Sequence, residues 1–131
     1  MSTNIGETKS LAAAGVIFAP AAFLNTPVSN LELICNGCGA ANAKFDFVPD
    51  RIYGTYVGHA CHIHDFMYEN GHTEEDREEA DRVMLNNLLR LCKRDADKKW
   101  YKPLSLMRKR CRVYYRMVRS YGADAFFVGK N

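Results

Sequence analysis

The sequence predicts an all-α domain: an antiparallel two-helix hairpin, a long loop before it and a basic third helix after it. Apolar residues recur at helical spacing over residues 58–92 and again over 103–120. Residues 25–57 lack such periodicity and are interrupted by proline, asparagine and glycine. With 131 residues and 47% hydrophobic content, the chain is expected to form one domain, residues 1–131, with one core that cross-links would help to stabilise.

Residues 1–24 contain an apolar, alanine-rich segment that begins at Leu11 and is interrupted by Pro20. The segment is too short to span a bilayer, so no transmembrane segment is predicted. Two interpretations stay open. It is either the core of a signal peptide, or an N-terminal helix that packs on the domain, with Pro20 ending its regular part.

The long loop covers residues 25–57. A run of this length without regular structure is unusual in a small domain and is usually functional. Glycines at 37, 39 and 54 allow backbone carbonyls to turn inward. Inward carbonyls suit a hard cation such as calcium, and Asp65, in the next helix, is a candidate carboxylate ligand.

The first helix of the hairpin is predicted over residues 58–71, where His64 and Tyr68 share one face. Asn70 and Gly71 should end it, with Gly71 in the left-handed conformation that is common at helix C-termini. The second helix should begin at Thr73, an N-cap residue. Asp76 stands in the capping-box position relative to Thr73.

The second helix is predicted to run to Cys92 and to stop at a charged break over residues 93–99. Its apolar face includes Asp81, and a carboxylate at such a position is costly unless it accepts hydrogen bonds. If the two helices form an antiparallel hairpin that turns at residues 71–73, residues whose numbers sum to about 145 lie level with each other. His64 should therefore lie opposite Asp81. Tyr68 is a second candidate donor to Asp81.

An imidazole paired with a carboxylate through one nitrogen offers the other as a general base. The same pair is also a common structural hydrogen bond. Asp65, the residue next to His64, and the long loop before the helix favour the catalytic interpretation of the His64–Asp81 pair.

The third helix is predicted to begin after Pro103 and to end near Gly122. Its apolar face should carry Leu104, Met107, Cys111, Tyr114, Tyr115 and Val118. Packing in the core is expected for Tyr114 and Tyr115, and one of them is also a candidate to reach Asp81.

Charge is divided unevenly along the chain. Residues 1–92 contain 6 Lys and Arg against 12 Asp and Glu, whereas residues 93–131 contain 12 against 3. A basic C-terminal part indicates an anionic partner, either a membrane surface or nucleic acid, unless it is only a solvated face. Trp100 and Tyr101 beside these cations favour the membrane.

Three segments together resemble the secreted phospholipase A2 family, particularly its compact bacterial and venom-type members. The first is Gly37-Cys38-Gly39, similar to the family's calcium loop. The others are Cys61-His62-Ile63-His64-Asp65-Phe66-Met67-Tyr68 and Ala80-Asp81-Arg82, similar to its two catalytic helix segments. The resemblance implies calcium-dependent hydrolysis of the sn-2 acyl ester of glycerophospholipids by an activated water. It also implies a secreted or exported monomer that degrades lipid at an anionic phospholipid surface and binds no nucleic acid.

The resemblance also implies a role for each matching residue. His64 would be the general base, Asp81 its orienting partner and Tyr68 a supporting donor. Asp65 would bind Ca²⁺ with the carbonyl groups of Gly37, Gly39 and Ala41, and the N–H of Gly39 would bind the oxyanion. Ala41 stands where the family has a third loop glycine.

Five cysteines cannot all pair within one chain. The resemblance implies a Cys38–Cys61 disulfide. Cys92 and Cys111 are a second candidate pair, because they lie on the inner faces of neighbouring predicted helices. Cys35 would be left over or would compete with Cys38. In a reducing compartment all five would be thiols.

Two alternatives remain open. Cys35 and Cys38, with Cys61 and one of His59, His62 or His64, have ligand types that suit a zinc knuckle, in which case the basic C-terminal part would contact nucleic acid. The second alternative is a catalytically inactive, phospholipase-like binding protein.

Overall fold

The computed structural model describes residues 4–35 and 48–130, which are mostly helical with one small two-stranded sheet. This architecture agrees with the predicted all-α class in outline. The elements in chain order are α1 (Ile5–Ala13), α2 (Ala21–Asn25), α3 (Val28–Ile34), β1 (Arg51–Ile52), β2 (Thr55–Tyr56), α4 (Gly58–Asn70), α5 (Glu74–Lys98), α6 (Leu104–Tyr121) and α7 (Ala123–Phe127).

Helix α5 is the centre of the fold, because it packs against both α4 and α6. Its buried face includes Met84, Leu88 and Cys92, and α6 contributes Met107 and Cys111 to the same core. The apolar spacing of these residues therefore buries one stripe of α5 between two neighbouring helices.

The start of α5 is a capping box. The Asp76 N–H donates to the Thr73 hydroxyl at 3.1 Å, and the Thr73 N–H donates to the Asp76 carboxylate at 3.1 Å. Gly71, just before it, is extended rather than left-handed, with φ −86° and ψ 160°. A Cβ at this position would lie 2.9 Å from the Phe126 ring. Glycine is therefore required here for close approach and not, as the sequence suggested, for a left-handed cap.

The predicted charged break over residues 93–99 is wrong, since α5 continues to Lys98. Two ion pairs at i,i+4 spacing support this last part: Lys93 with Asp97 at 2.7 Å and Lys99 with Asp95 at 3.3 Å. Charged side chains one turn apart thus extend the helix rather than end it.

The prediction of a loop without regular structure over residues 25–57 is also wrong for the described part of that range. Helix α3 buries Leu31, and Pro27 occupies its N-cap, where a missing N–H costs nothing. Strands β1 and β2 pair antiparallel through a turn in which Tyr53 and Gly54 have φ 48° and 81°. The expected calcium-loop residues Gly37, Gly39 and Ala41 lie outside the described residues.

The N-terminal segment is part of the core. Ile5, Ile17 and Phe23 are buried, and the Phe23 ring meets the Phe66 ring edge-on at 5.4 Å. The Asn87 side chain, on α5, makes hydrogen bonds of 2.9 and 2.8 Å with the backbone N–H and carbonyl of residue 18. Pro20 does not end one helix but stands at the N-cap of α2.

The candidate Cys92–Cys111 disulfide is not present. Both cysteines are free thiols with their sulfur atoms 3.7 Å apart, whereas a disulfide needs about 2.05 Å. Cys35 is also a free thiol and donates to the His62 carbonyl at 3.1 Å. Cys61 is disulfide-bonded, and Cys38, its expected partner, lies outside the described residues.

None of the helices in the described part of the chain is both long enough and apolar enough to cross a membrane.

Candidate active site

The Asp81 carboxylate is fully buried and is the centre of the candidate site. Its Oδ1 lies 2.7 Å from His64 Nε2 and accepts a hydrogen bond from the Tyr68 hydroxyl at 2.6 Å. Its Oδ2 accepts a hydrogen bond from Arg119 Nη1 at 2.7 Å. Both oxygens are therefore satisfied, as a carboxylate withdrawn from water requires.

The local sequence explains why these groups meet. His64 and Tyr68 lie one turn apart on the buried face of α4, and their rings are 4.1 Å apart. Residues 71–73 connect α4 to α5, so Asp81 comes level with that face. The structure therefore brings together His64, Tyr68 and Asp81, the three side chains that the sequence assigned to catalysis.

Arg119, on α6, and Arg77, on α5, are members of the site that the sequence analysis did not assign. Arg119 bridges Asp81 and Glu74, since its Nη2 donates to Glu74 at 2.9 Å. Arg77 contacts the same two carboxylates, with Nε 2.9 Å from Glu74 and Nη1 3.7 Å from Asp81. Two guanidinium groups thus face two carboxylates at the start of α5.

A signal for Arg119 was present in the sequence. If α5 and α6 are antiparallel and Cys92 faces Cys111, the same register carries Asp81 to within one turn of Arg119. The expected contact from Tyr114 or Tyr115 to Asp81 is instead made by this arginine.

The electrostatics of the site favour an ionised Asp81. Burial by itself raises the pKa of Asp81, but the hydrogen bonds from His64, Tyr68 and Arg119 outweigh it and hold the pKa below its ordinary value. Hydrogen bonds from Arg77 and Arg119 lower the pKa of Glu74 to about 2. Burial and the Asp81 charge raise the pKa of Tyr68, so its hydroxyl stays protonated and can only donate to Asp81.

The pairing with Asp81 decides which nitrogen of His64 can act as a base. An ionised carboxylate accepts hydrogen bonds, so Nε2 carries the proton and Nδ1 carries the lone pair. The ring is 1% exposed and Nδ1 is itself buried. The arrangement is therefore a fixed-tautomer imidazole that can take a proton through Nδ1.

The C-terminal segment supports Tyr68 from outside. Phe126, on α7, meets the Tyr68 ring edge-on at 5.0 Å. A Cβ at Gly122 would lie 2.8 Å from the Tyr68 hydroxyl and 2.5 Å from the carbonyl of residue 118. Glycine at position 122 thus allows the junction of α6 and α7 to close over the tyrosine.

Asp65 follows His64 on α4 and is partly exposed. It lies near enough to Cys35 for its charge to add to the burial that raises the pKa of that thiol. A partly exposed carboxylate beside the base fits the oxygen preference of Ca²⁺. Within residues 4–35 and 48–130, no group of three or more His, Cys, Asp or Glu side chains is arranged to hold a metal ion.

The other two histidines that were considered as zinc ligands share a different partner. The Thr8 hydroxyl lies 2.7 Å from His59 Nδ1 and 2.9 Å from His62 Nδ1. Burial lowers the pKa of His62 to about 4, so the imidazole is neutral near pH 7. In the described part of the chain, therefore, the candidate zinc ligands do not come together. His64 pairs with Asp81, and His59 and His62 pair with Thr8.

Comparisons of the chain with protein-family models, curated proteins and solved structures gave no match. The assignment of a function therefore depends on the side chains described above.

We expect Arg119→Gln to lower the free energy of unfolding by about 1.5–3 kcal/mol, because it removes a charged hydrogen bond to a buried carboxylate. Urea unfolding monitored by circular dichroism measures this loss. Arg116→Gln, an exposed position on the same helix, is the matched control and should stay within about 0.5 kcal/mol of the wild type. Equal stability of the two variants would contradict the role of Arg119.

We expect the free energy of unfolding to fall as the pH drops from 6.5 to about 4, because unfolded His62 takes up a proton at 6.5 and folded His62 only at about 4. In urea titrations, His62→Gln should lose about 2 kcal/mol less than the wild type over this interval. The exposed His72→Gln is the control and should follow the wild type. A pH dependence unchanged in His62→Gln would refute the assignment.

Proposed function

We propose that the chain is a calcium-dependent phospholipase A2 that hydrolyses the sn-2 acyl ester of glycerophospholipids. The observation that carries the proposal is the buried Asp81 carboxylate, which holds His64 Nε2 at 2.7 Å and leaves Nδ1 as the basic nitrogen. Asp65, next in the chain, supplies a carboxylate beside that base. A purely structural histidine would not need a carboxylate beside it. The resemblance to the secreted enzymes gives Asp65 a role, as a calcium ligand.

In this proposal His64 acts as a general base. Nδ1 takes a proton from a water molecule while the water oxygen attacks the ester carbonyl carbon, and the imidazolium is stabilised by Asp81. The same proton is then given to the oxygen of the departing glycerol group, so that one water is consumed and a fatty acid and a lysophospholipid are released. Tyr68 and Arg119 hold the carboxylate in place throughout.

Asp65 is the described residue that would hold Ca²⁺, and the carbonyls of Gly37, Gly39 and Ala41 are the other proposed ligands. Bound calcium supplies positive charge for the substrate phosphate and for the ester carbonyl oxygen. The N–H of Gly39 is the proposed second donor to that oxygen.

The proposed partner is an anionic phospholipid surface, which the chain meets as a monomer. Trp100 is 93% exposed and Tyr101 62% exposed in the connection between α5 and α6. Lys98, two residues before Trp100, is an exposed cation, and exposed aromatic rings beside cations are typical of membrane interfaces. The disulfide at Cys61 fits an oxidising compartment, so we propose that the protein is secreted or exported.

His64→Gln should reduce the hydrolysis of anionic phospholipid vesicles by about 10²–10⁴-fold, because glutamine cannot accept the proton of the attacking water. Release of fatty acid, measured with calcium present, tests this. His72→Gln should retain wild-type activity, and circular dichroism should show both variants folded. Hydrolysis by His64→Gln at the wild-type rate would contradict the proposal.

Asp65→Asn should weaken calcium binding by at least about tenfold, because a neutral amide replaces the proposed carboxylate ligand. Calcium titration by calorimetry, together with activity as a function of calcium concentration, measures the effect. Asp124→Asn, exposed on α7, removes the same charge elsewhere and should leave the affinity unchanged. Unchanged affinity in Asp65→Asn would mean that calcium binds at other residues.

A further inference from the structure

A polar cavity of about 370 Å³ lies away from the His64–Asp81 pair. It is lined by the start of α1, the β1–β2 hairpin, the first turn of α4 and the last part of α5. Leu91, the first α5 residue that lines it, is ten residues after Asp81, or about 15 Å along the helix. The cavity is therefore a separate site, and its volume is in the range of small-ligand pockets.

Cations outnumber carboxylates in the lining of this cavity. The cations of the lining are Arg51, Arg94, Lys98 and Lys99, and its carboxylates are Glu7 and Asp95. Asp95 is already neutralised within the protein, since it accepts the Thr55 hydroxyl at 2.6 Å and pairs with Lys99 at 3.3 Å. Three cations then face one remaining carboxylate.

Arg94 and Lys98 are the cations best placed to bind a ligand. They lie one turn apart on α5, and neither has an ion pair within the described residues. Like charges at this spacing repel one another, and an anion between them would reverse that effect. Arg51 donates to the Gly54 carbonyl at 3.3 Å and its guanidinium lies 5.5 Å from the Tyr56 ring, so the β1–β2 hairpin holds it in the lining.

His59 forms a buried, neutral part of the lining. It is 4% exposed, and its Nδ1 lies 2.7 Å from the Thr8 hydroxyl. Burial lowers the pKa of His59, and the nearby Arg94 charge lowers it further, whereas Glu7, 3.7 Å from Nε2, acts against both. Since His59 stays neutral, the positive charge in the cavity comes from Arg51, Arg94 and Lys98.

We infer that this cavity binds a phosphate group, held by Arg94 and Lys98 with Arg51 as a third cation of the lining. Guanidinium groups bind phosphate oxygens through two parallel hydrogen bonds, which makes phosphate the anion best matched to this lining. The phosphate belongs either to a soluble phosphate ester or to a lipid headgroup. The exposed Trp100, next to the lining residue Lys99, places the cavity beside the proposed membrane surface. The inference does not require that His64 be catalytic.

The test is an amide NMR titration with inorganic phosphate and, separately, with glycerol 3-phosphate, at constant ionic strength and without calcium. Saturable shifts should appear at cavity residues, and Arg94→Gln/Lys98→Gln should weaken the affinity by at least about tenfold. The control Arg90→Gln/Lys109→Gln removes the same charges from exposed positions outside the cavity and should change the affinity by less than about twofold.

A second arm identifies the source of the phosphate. Binding to phosphatidylglycerol and phosphatidylcholine vesicles is measured by sedimentation, with a chelator and in the His64→Gln background so that no lipid is hydrolysed. If Arg94→Gln/Lys98→Gln weakens vesicle binding as well as the soluble titrations relative to the control, the ligand is a lipid headgroup. If it weakens only the soluble titrations, the ligand is a soluble ester. If the two double variants behave alike in both arms, the inference is overturned, whatever the outcome for hydrolysis.

Discussion

The Asp81 carboxylate is the constraint on which the rest of the structure depends. A fully buried carboxylate is tolerated only where donors surround it, and here the donors come from α4 and α6 while the carboxylate itself is on α5. Satisfying this carboxylate therefore requires that α4, α5 and α6 all pack together. The same contacts that make the charge tolerable also fix the tautomer of His64, so stability and the proposed chemistry have a common origin.

The uneven distribution of charge along the sequence has a structural counterpart. The first turn of α5 is acidic, with Glu74, Glu75 and Asp76, and the last turn of α6 carries Arg119. The ion pair of Glu74 with Arg119, at 2.9 Å, joins the acidic part of the chain to the basic part. The other basic side chains of α6 are exposed: Arg108, Lys109, Arg110, Arg112 and Arg116.

The parts of the fold that could be predicted from the sequence were those set by local pattern and by a short connection. The capping box at Thr73 and the pairing of His64 with Asp81 follow from spacing alone. The length of α5 could not be predicted from composition, because a charged stretch is equally compatible with a break and with ion pairs one turn apart. Arg119 required the register of a second helix pair, which depends on tertiary packing.

The hydroxyl of Thr8 has a single proton, yet it has three partners: the carbonyl of residue 4, His59 and His62. It can donate to only one of them, so at least one imidazole must donate to the threonine through its own Nδ1. The tautomers of the two histidines are thus coupled through a side chain on another helix. A side chain without both a donor and an acceptor cannot serve both rings in this way. Position 8 should therefore accept few substitutions, although residues 1–24 also have features of a signal peptide.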